Sequence, residues 1–475
     1  MKPSARIGSL EATLQGRLAR RESQGRLRHL DIPRPGLVDF SSNDYLSLSQ
    51  DLVLRNALVA HLNGLEKKAS SSPLNGRVIG SGGSRLLDGN SAFFEHLERK
   101  LSDFHTSEAA LLFNSAYDAN VGLISCVPGT RDVIMYDSLI HASIHDGMRL
   151  SRATKRIHFE HSSIIQDTRR SSVRGDSKFS KTATEPQGLE LALKKLIDSD
   201  QQVRCGESNV FICVEALYSM DGDITDLEYV SNVVKALLPR GNGHIIVDEA
   251  HSVGILGDGG RGLVCQLGLQ DQVWARVVGF GKAMGSAGGA ILCSSIARLY
   301  LINYARTLIY TTAMSFPSLA SISAAYDYMI SGEADKRRKQ LTMLIQYCHD
   351  KLKSLDQRLK PSATVLRMPR GSPRSPIIPL FTSYPKSLAR HCQISKFMIR
   401  PIVAPTVLQG QERVRICLHA SNTVEQVDGL CRAIEIWLGL LRTKRDTGAR
   451  NHNQTGVTAE AESLESLLEN MKASL

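Results

Sequence analysis

From about residue 49 to residue 330, short apolar runs alternate with helix-length segments, the pattern of βα units that build a largely parallel sheet. AALLFNSAYDAN, VFICVEALYSMDGD, GHIIVDEAHSVG and RVVGFGKAMGS are the clearest cases. In each, the apolar run gives way at once to polar or small residues, and in doubly wound sheets ligands bind at that carboxyl end. The expected fold is therefore α/β, with its chemistry among the residues that follow these runs.

The rest of the chain divides around this block, and a length of 475 residues allows two or three domains. Residues 1–48 read as an N-terminal helix and connector that ends at the turn cluster SSNDYLSLS, and residues 49–330 as the large domain. Residues 163–187 interrupt the alternation with Ser, Thr, Arg and Lys and no periodicity, which reads as a surface insertion. Residues 331–443 read as a smaller α+β domain, with a strand at RVRICLHA and an amphipathic helix at VEQVDGLCRAIEIWLGLL. Residues 444–475 form a polar tail in which Leu464, Leu467, Leu468 and Met471 fall on one short helical face.

Composition removes several functional classes. No apolar run is long enough for a bilayer span. The formal charge of +11 comes from peripheral basic segments rather than an aromatic-laced stripe, so it fits solubility and attraction to a phosphate cofactor or acyl-CoA better than nucleic acid. Nine scattered cysteines without a C-x-x-C pair support neither a metal site nor a disulfide framework, and point to a reducing compartment. The Arg-rich first twenty residues place Ile7, Leu10, Leu14 and Leu18 on one helical face, which reads first as a surface helix packed on the domain and second as a mitochondrial presequence. The final Ala473-Ser474-Leu475 is a distant echo of the peroxisomal S-K-L. A cytoplasmic location is expected, with mitochondrion and peroxisome as alternatives.

Asp248 falls at the end of Ile245-Ile246-Val247, where an acid can be a helix N-cap, a metal ligand or the counter-ion of a protonated cofactor nitrogen. The string DEAH at 248–251 matches a helicase box, but Arg276 and Ala283 stand where a phosphate loop around Gly281-Lys282 needs Gly and Ser or Thr. GDGGRG at 257–262 fits G-x-G-x-x-G without closing a strand, so dinucleotide binding is weakly supported. Lys282 follows Val277-Val278 and is enclosed by Gly279, Gly281 and Gly285. Small neighbours admit something bulky, and a desolvated lysine is a nucleophile suited to a Schiff base. Taken alone, it reads first as a lysine at an exposed βα turn.

His141 in DSLIHAS, Ser219 in EALYSMDGD, Asp248 and His251 in DEAHSVG, and Lys282 in GFGKAMG occur together in the order and spacing of the α-oxoamine synthases. The chain closely resembles this family of pyridoxal-phosphate enzymes over about residues 5 to 440. GSGGSRLLDGN at 80–90 is most similar to the member that makes 8-amino-7-oxononanoate. The resemblance implies a fold-type I transferase, with a mostly parallel seven-stranded sheet in the large domain and a smaller α+β C-terminal domain. It implies that Lys282 holds the aldehyde of pyridoxal 5'-phosphate, Asp248 pairs with the pyridinium nitrogen, His251 bonds the ring oxygen and His141 stacks on the ring. Ser219 joins these cofactor contacts, the backbone at Ala116 and Tyr117 meets the phosphate, and Thr311 and Thr312 reach the phosphate of a neighbouring subunit in a homodimer. Arg415 would clamp the amino-acid carboxylate, with Arg28, Asn43 and Thr406 also on the substrate side.

The implied reaction is a decarboxylative condensation of L-alanine with a pimeloyl thioester, carried by CoA or a carrier protein, toward biotin. The rivals are another α-oxoamine synthase with a different acyl chain and a catalytically silent scaffold subunit. The chain also departs from the family pattern: Gly279 replaces a phosphate-binding Thr, Ser162 replaces a common Asn, the 163–187 insertion is extra and RPIVAPTV is longer.

Overall fold

The structure is a computed structural model that describes residues 9–66 apart from 25, 31, 33 and 34, together with 79–165, 188–368 and 374–448. Nearly all of the expected insertion and tail lies outside these residues.

Seven strands form the main sheet: β1 (Ala109–Phe113), β2 (Val133–Asp137), β3 (Lys155–Phe159), β4 (Val210–Glu215), β5 (Gly243–Asp248), β6 (Ala275–Gly279) and β7 (Gly289–Cys293). Their order is β1-β7-β6-β5-β4-β2-β3, with β2 to β6 parallel and β7 antiparallel to both β6 and β1. The apolar strings at β1, β4 and β6 are buried along their whole length, as both-face coverage by helices requires. GAILC at β7 breaks the βα alternation. It returns directly from β6 as a hairpin, and Lys282 lies in the connecting loop.

A second, three-stranded antiparallel sheet contains β8 (Ile377–Phe381), β9 (Arg400–Ile402) and β10 (Arg413–Cys417), with β10 central. The N-terminal turn cluster is sewn to this unit. Val38 and Asp39 pair with Phe397 and Met398, the Cys417 amide donates to the Phe40 carbonyl at 2.9 Å, and the Ala420 amide donates to Tyr45 at 2.8 Å. Phe40, Tyr45, Val278, Phe280, Ile416 and Trp437 belong to one apolar cluster, so the core runs unbroken from the lysine hairpin into the C-terminal sheet. The closing helix, Val424–Gly448, passes the expected boundary at 443.

α1 (Ser9–Ser23) forms where the periodicity places it, but Leu10, Leu14 and Leu18 are 64%, 45% and 52% exposed. The expectation that it packs on its own domain is corrected. A stripe one leucine wide beside Arg17, Arg20 and Arg21 offers too little apolar area to draw the helix down. Among the described residues, no helix is long and apolar enough to cross a membrane.

Candidate active site

Two acids end adjacent strands. Asp248 closes β5, and its carboxylate accepts the Ala250 amide at 2.9 Å and Asn120 Nδ2 at 2.7 Å. Glu215 closes β4 directly opposite, in register with Asp248. Burial, with Asp248 beside it, pushes the Glu215 carboxyl well above the usual carboxylate range. The Lys282 amine feels the charge of both acids. Burial lowers its pKa, Asp248 and Glu215 oppose that shift, and Arg415 adds to it.

A helix end completes this side. α2 (Ala116–Cys126) is capped by Ser115, whose hydroxyl accepts the Asp118 amide at 3.0 Å, while the amides of Ala116 and Tyr117 precede the first intrahelical bond. Free amides and the helix dipole suit such an end to a phosphate. A Cβ on Gly289 would lie 2.5 Å from the Ala116 nitrogen, so glycine is what lets the helix end sit on the hairpin. Gly279 is equally confined: its Cβ would meet those of Ala250 at 3.0 Å and Ala116 at 3.3 Å, so the family's threonine would press on both. Asn114 Nδ2 donates to Thr311 Oγ1 at 3.3 Å and to the Thr312 carbonyl at 3.0 Å, bringing that pair to the helix end of its own chain. His141 caps α3 (Ala142–Leu150), and the Tyr117 ring stands edge-on to it at 6.3 Å.

On the opposite side, Arg415 in β10 donates from Nη1 to the Ser219 carbonyl at 2.9 Å and from Nη2 to Asn43 Oδ1 at 3.2 Å. The Tyr45 hydroxyl bonds Asn43 Oδ1 at 3.2 Å and His251 Nδ1 at 2.9 Å. The line Arg415–Asn43–Tyr45–His251 therefore joins the C-terminal sheet to the end of β5 through the N-terminal turn. Burial holds His251 well below the usual imidazole range, and Lys282, Arg415 and His141 add to that. Arg28 is exposed on the connector after α1, and Thr406 is exposed in the turn between β9 and β10, where its amide bonds Val403. Among the described residues, neither shares a hydrogen bond with this cluster.

Sequence reasoning missed Glu215, Asn120, Ser143, Tyr45 and His161. Glu215 obeys the same strand-end rule that singled out Asp248. Ser143 stands in the DSLIHAS motif beside His141, whereas Asn120, Tyr45 and His161 meet Asp248, His251 and the pair Asp137 and Asp223 only in the fold. His161 lies between Asp137 at 3.0 Å and Asp223 at 3.3 Å, against the Tyr218 ring. Burial alone would lower its pKa, but hydrogen bonds to the two carboxylates push it up to about 10. A folded pKa above the unfolded value of about 6.5 gives a contribution that is complete below pH 6.5 and lost as pH rises through 10. His161→Ala is expected to cost about 3–5 kcal/mol at pH 6, with the deficit shrinking toward pH 10 in denaturant melts. A deficit independent of pH would refute the ion-pair account.

A lysine of lowered basicity can take a carbonyl, a buried carboxylate can hold a cationic ring nitrogen, and a helix end can take a phosphate. This donor set fits pyridoxal phosphate. The model of class I and II aminotransferases matches residues 35–434. An 8-amino-7-oxononanoate synthase of Emericella nidulans is 45% identical over 90% of this chain and 96% of its own length. The aminoacyl transferase sphA of Aspergillus fumigatus is 34% identical over 83% of this chain and 79% of its own. Among solved structures, Sphingomonas wittichii serine palmitoyltransferase shares the fold, with a TM-score of 0.71 at 21% identity over 94% of this chain and all of its own. The 8-amino-7-oxononanoate synthase of Francisella tularensis has a TM-score of 0.61 at 25% identity, covering 86% of this chain and 99% of its own. Likeness of this extent in both sequence and fold reflects common descent, and the chain belongs to the α-oxoamine synthases, pyridoxal-phosphate-dependent acyltransferases with the fold of class I and II aminotransferases.

Proposed function

We propose that this chain condenses L-alanine with a pimeloyl thioester, on CoA or a carrier protein, and releases 8-amino-7-oxononanoate, the free thiol and CO₂ in biotin synthesis. The observation that carries this reading is the 45% identity to an 8-amino-7-oxononanoate synthase across 96% of that protein. The 80–90 segment adds support. Arg85 in it pairs with the buried Glu98, and Ser81 and Gly83 bond Ala313, so the stretch most similar to that synthase is stitched next to Thr311 and Thr312.

Pyridoxal phosphate, when bound, supplies the electron sink that stabilises negative charge at the amino-acid Cα. Lys282 would hold its carbonyl, and its amine, whose pKa burial lowers, is suited to take the proton from the alanine Cα. Asp248 would keep a positive charge on the ring nitrogen, His251 would bond the ring oxygen, His141 would cover the ring and Ser219 would line the same wall. The amides of Ala116 and Tyr117 would receive the phosphate. Arg415 orients the alanine carboxylate with Asn43 beside it, while Arg28 and Thr406 are assigned to the substrate side on resemblance alone. Thr311 and Thr312 serve a second subunit in a homodimer. The exposed Leu86, Leu87, Tyr117 and Tyr310 around that helix end support a partner covering it.

A second reading, a different acyl chain or amino acid, is favoured by the 34% identity to sphA. A panel of amino acids against acyl thioesters, scored by thiol release, separates the two. Pimeloyl thioester should exceed palmitoyl thioester in kcat/KM, because a distal carboxylate needs a polar partner that an aliphatic chain leaves unpaired. Alanine should exceed glycine by roughly 10- to 200-fold, the worth of one methyl in a pocket. A palmitoyl or serine preference would replace this proposal with the second reading, and a colourless, inactive protein would favour a silent subunit.

A further inference from the structure

Asp248 and His141 are linked through two buried residues that the cofactor assignments leave unused. Asn120 in α2 is 1% exposed, and Ser143 in α3 is fully buried. A carboxylate only accepts, so the Asn120 atom 2.7 Å from Asp248 Oδ2 is its amide nitrogen. The same nitrogen lies 3.0 Å from Ser143 Oγ, so its two protons are divided between Asp248 and Ser143. Ser143 Oγ, having accepted one proton, lies 2.8 Å from His141 Nδ1 and has its own proton to give. The Ser143 backbone amide, which can only donate, also faces Nδ1 at 3.3 Å. Two donors converge on one ring nitrogen, which must therefore present its lone pair.

We propose that Asn120 and Ser143 are positioning residues that fix the proton of His141 on Nε2 and tie that imidazole to the Asp248 carboxylate. The inference rests on the proposed contacts of His141 and Asp248 with the cofactor. It makes His141 a hydrogen-bond donor toward the reacting groups rather than a base. The arrangement has a cost that argues for function: among the described residues, Asn120 Oδ1 is buried without a hydrogen-bond partner. Other charged or titratable groups facing His141 are Lys282, His145, His251 and Tyr117. Solvent reaches the ring from one side, while desolvation by the strand ends holds its pKa below the ordinary value, with Asp248 opposing and Lys282 assisting.

The test begins with the cofactor-free protein labelled with ¹⁵N-histidine, the His141 signals being assigned by their loss in His141→Gln. The expected wild-type spectrum at pH 7 has a neutral ring protonated on Nε2. Donors on Nδ1 stabilise the neutral form, so Ser143→Ala should raise the His141 titration midpoint by about one pH unit, and Ser143→Thr should restore it. In the loaded enzyme, Asn120→Leu should lower kcat about tenfold with little change in the KM for the amino acid. A wild-type proton on Nδ1, or a His141 midpoint unmoved in Ser143→Ala, overturns the proposal. The wild-type tautomer needs no variant to fold. A wild-type protein that shows the Nε2 proton but binds no pyridoxal phosphate would instead sink the functional reading and leave the tautomer assignment standing.

Discussion

Borohydride reduction of the loaded protein is expected to fix the cofactor to the peptide that contains Lys282, and Lys282→Ala should carry no such label. Turnover in that variant is expected to fall by about 10³-fold or more, since one side chain supplies both the covalent tether and the base for the Cα proton. The amine is suited to both roles because burial lowers its pKa while Asp248 and Glu215 lie close enough to limit the shift. Peptide mapping after reduction, beside thiol-release kinetics, measures the two effects separately. A label on another lysine, or turnover within tenfold of wild type, would overturn the assignment.

Asp248→Asn is the second large effect. The variant should keep most of its affinity for pyridoxal phosphate, because the helix end at Ala116 and the Lys282 tether are untouched, yet turnover should drop by about 10²–10³-fold or more. A neutral amide cannot hold the ring nitrogen protonated, so the charge that develops at Cα loses its sink. The substitution also sets an amide against the Asn120 amide, which replaces a charge-assisted bond at 2.7 Å with a repulsive or rotated contact. Absorbance titration with cofactor and single-turnover kinetics would report the split. Near-normal turnover would return Asp248 to the role its bond to the Ala250 amide also suits, that of a cap.

The large sheet was legible because apolar runs ending in polar residues have one economical arrangement, and the runs ending at Asp248 and Gly279 lie where that pattern puts them. The reversal at β7 was not, since GAILC is as apolar as its parallel neighbours and strand direction is set by the connection rather than by composition. Asp248, His251, His141 and Lys282 were named through motifs. Asn43 and Arg415 were named by resemblance, and a 3.2 Å hydrogen bond joins them. Tyr45 and Asn120 escaped because a buried polar side chain is recognisable only from partners the fold brings in. His161 escaped for the same reason: its carboxylates are 24 and 62 positions away. Leu10, Leu14 and Leu18 misled in the opposite way, since an amphipathic stripe states that a surface is wanted and not that the same chain supplies it.

The stitching of the N-terminal turn to β10 sets a condition on biosynthesis. Asn43 and Arg415 are 372 positions apart, so at 5–20 residues per second the ribosome takes roughly 20–75 s to deliver the second after the first. During that interval the Phe40 carbonyl lacks the Cys417 amide, and the lysine hairpin has no finished wall on its substrate side. Nascent chains therefore pass through a long stage in which the N-terminal turn has no partner in β10. A message broken before codon 413 lacks Val414, Ile416 and Trp437 as well as Arg415, so its product loses packing behind Val278 and Phe280 together with the carboxylate clamp, and completeness of translation becomes a condition on the whole site.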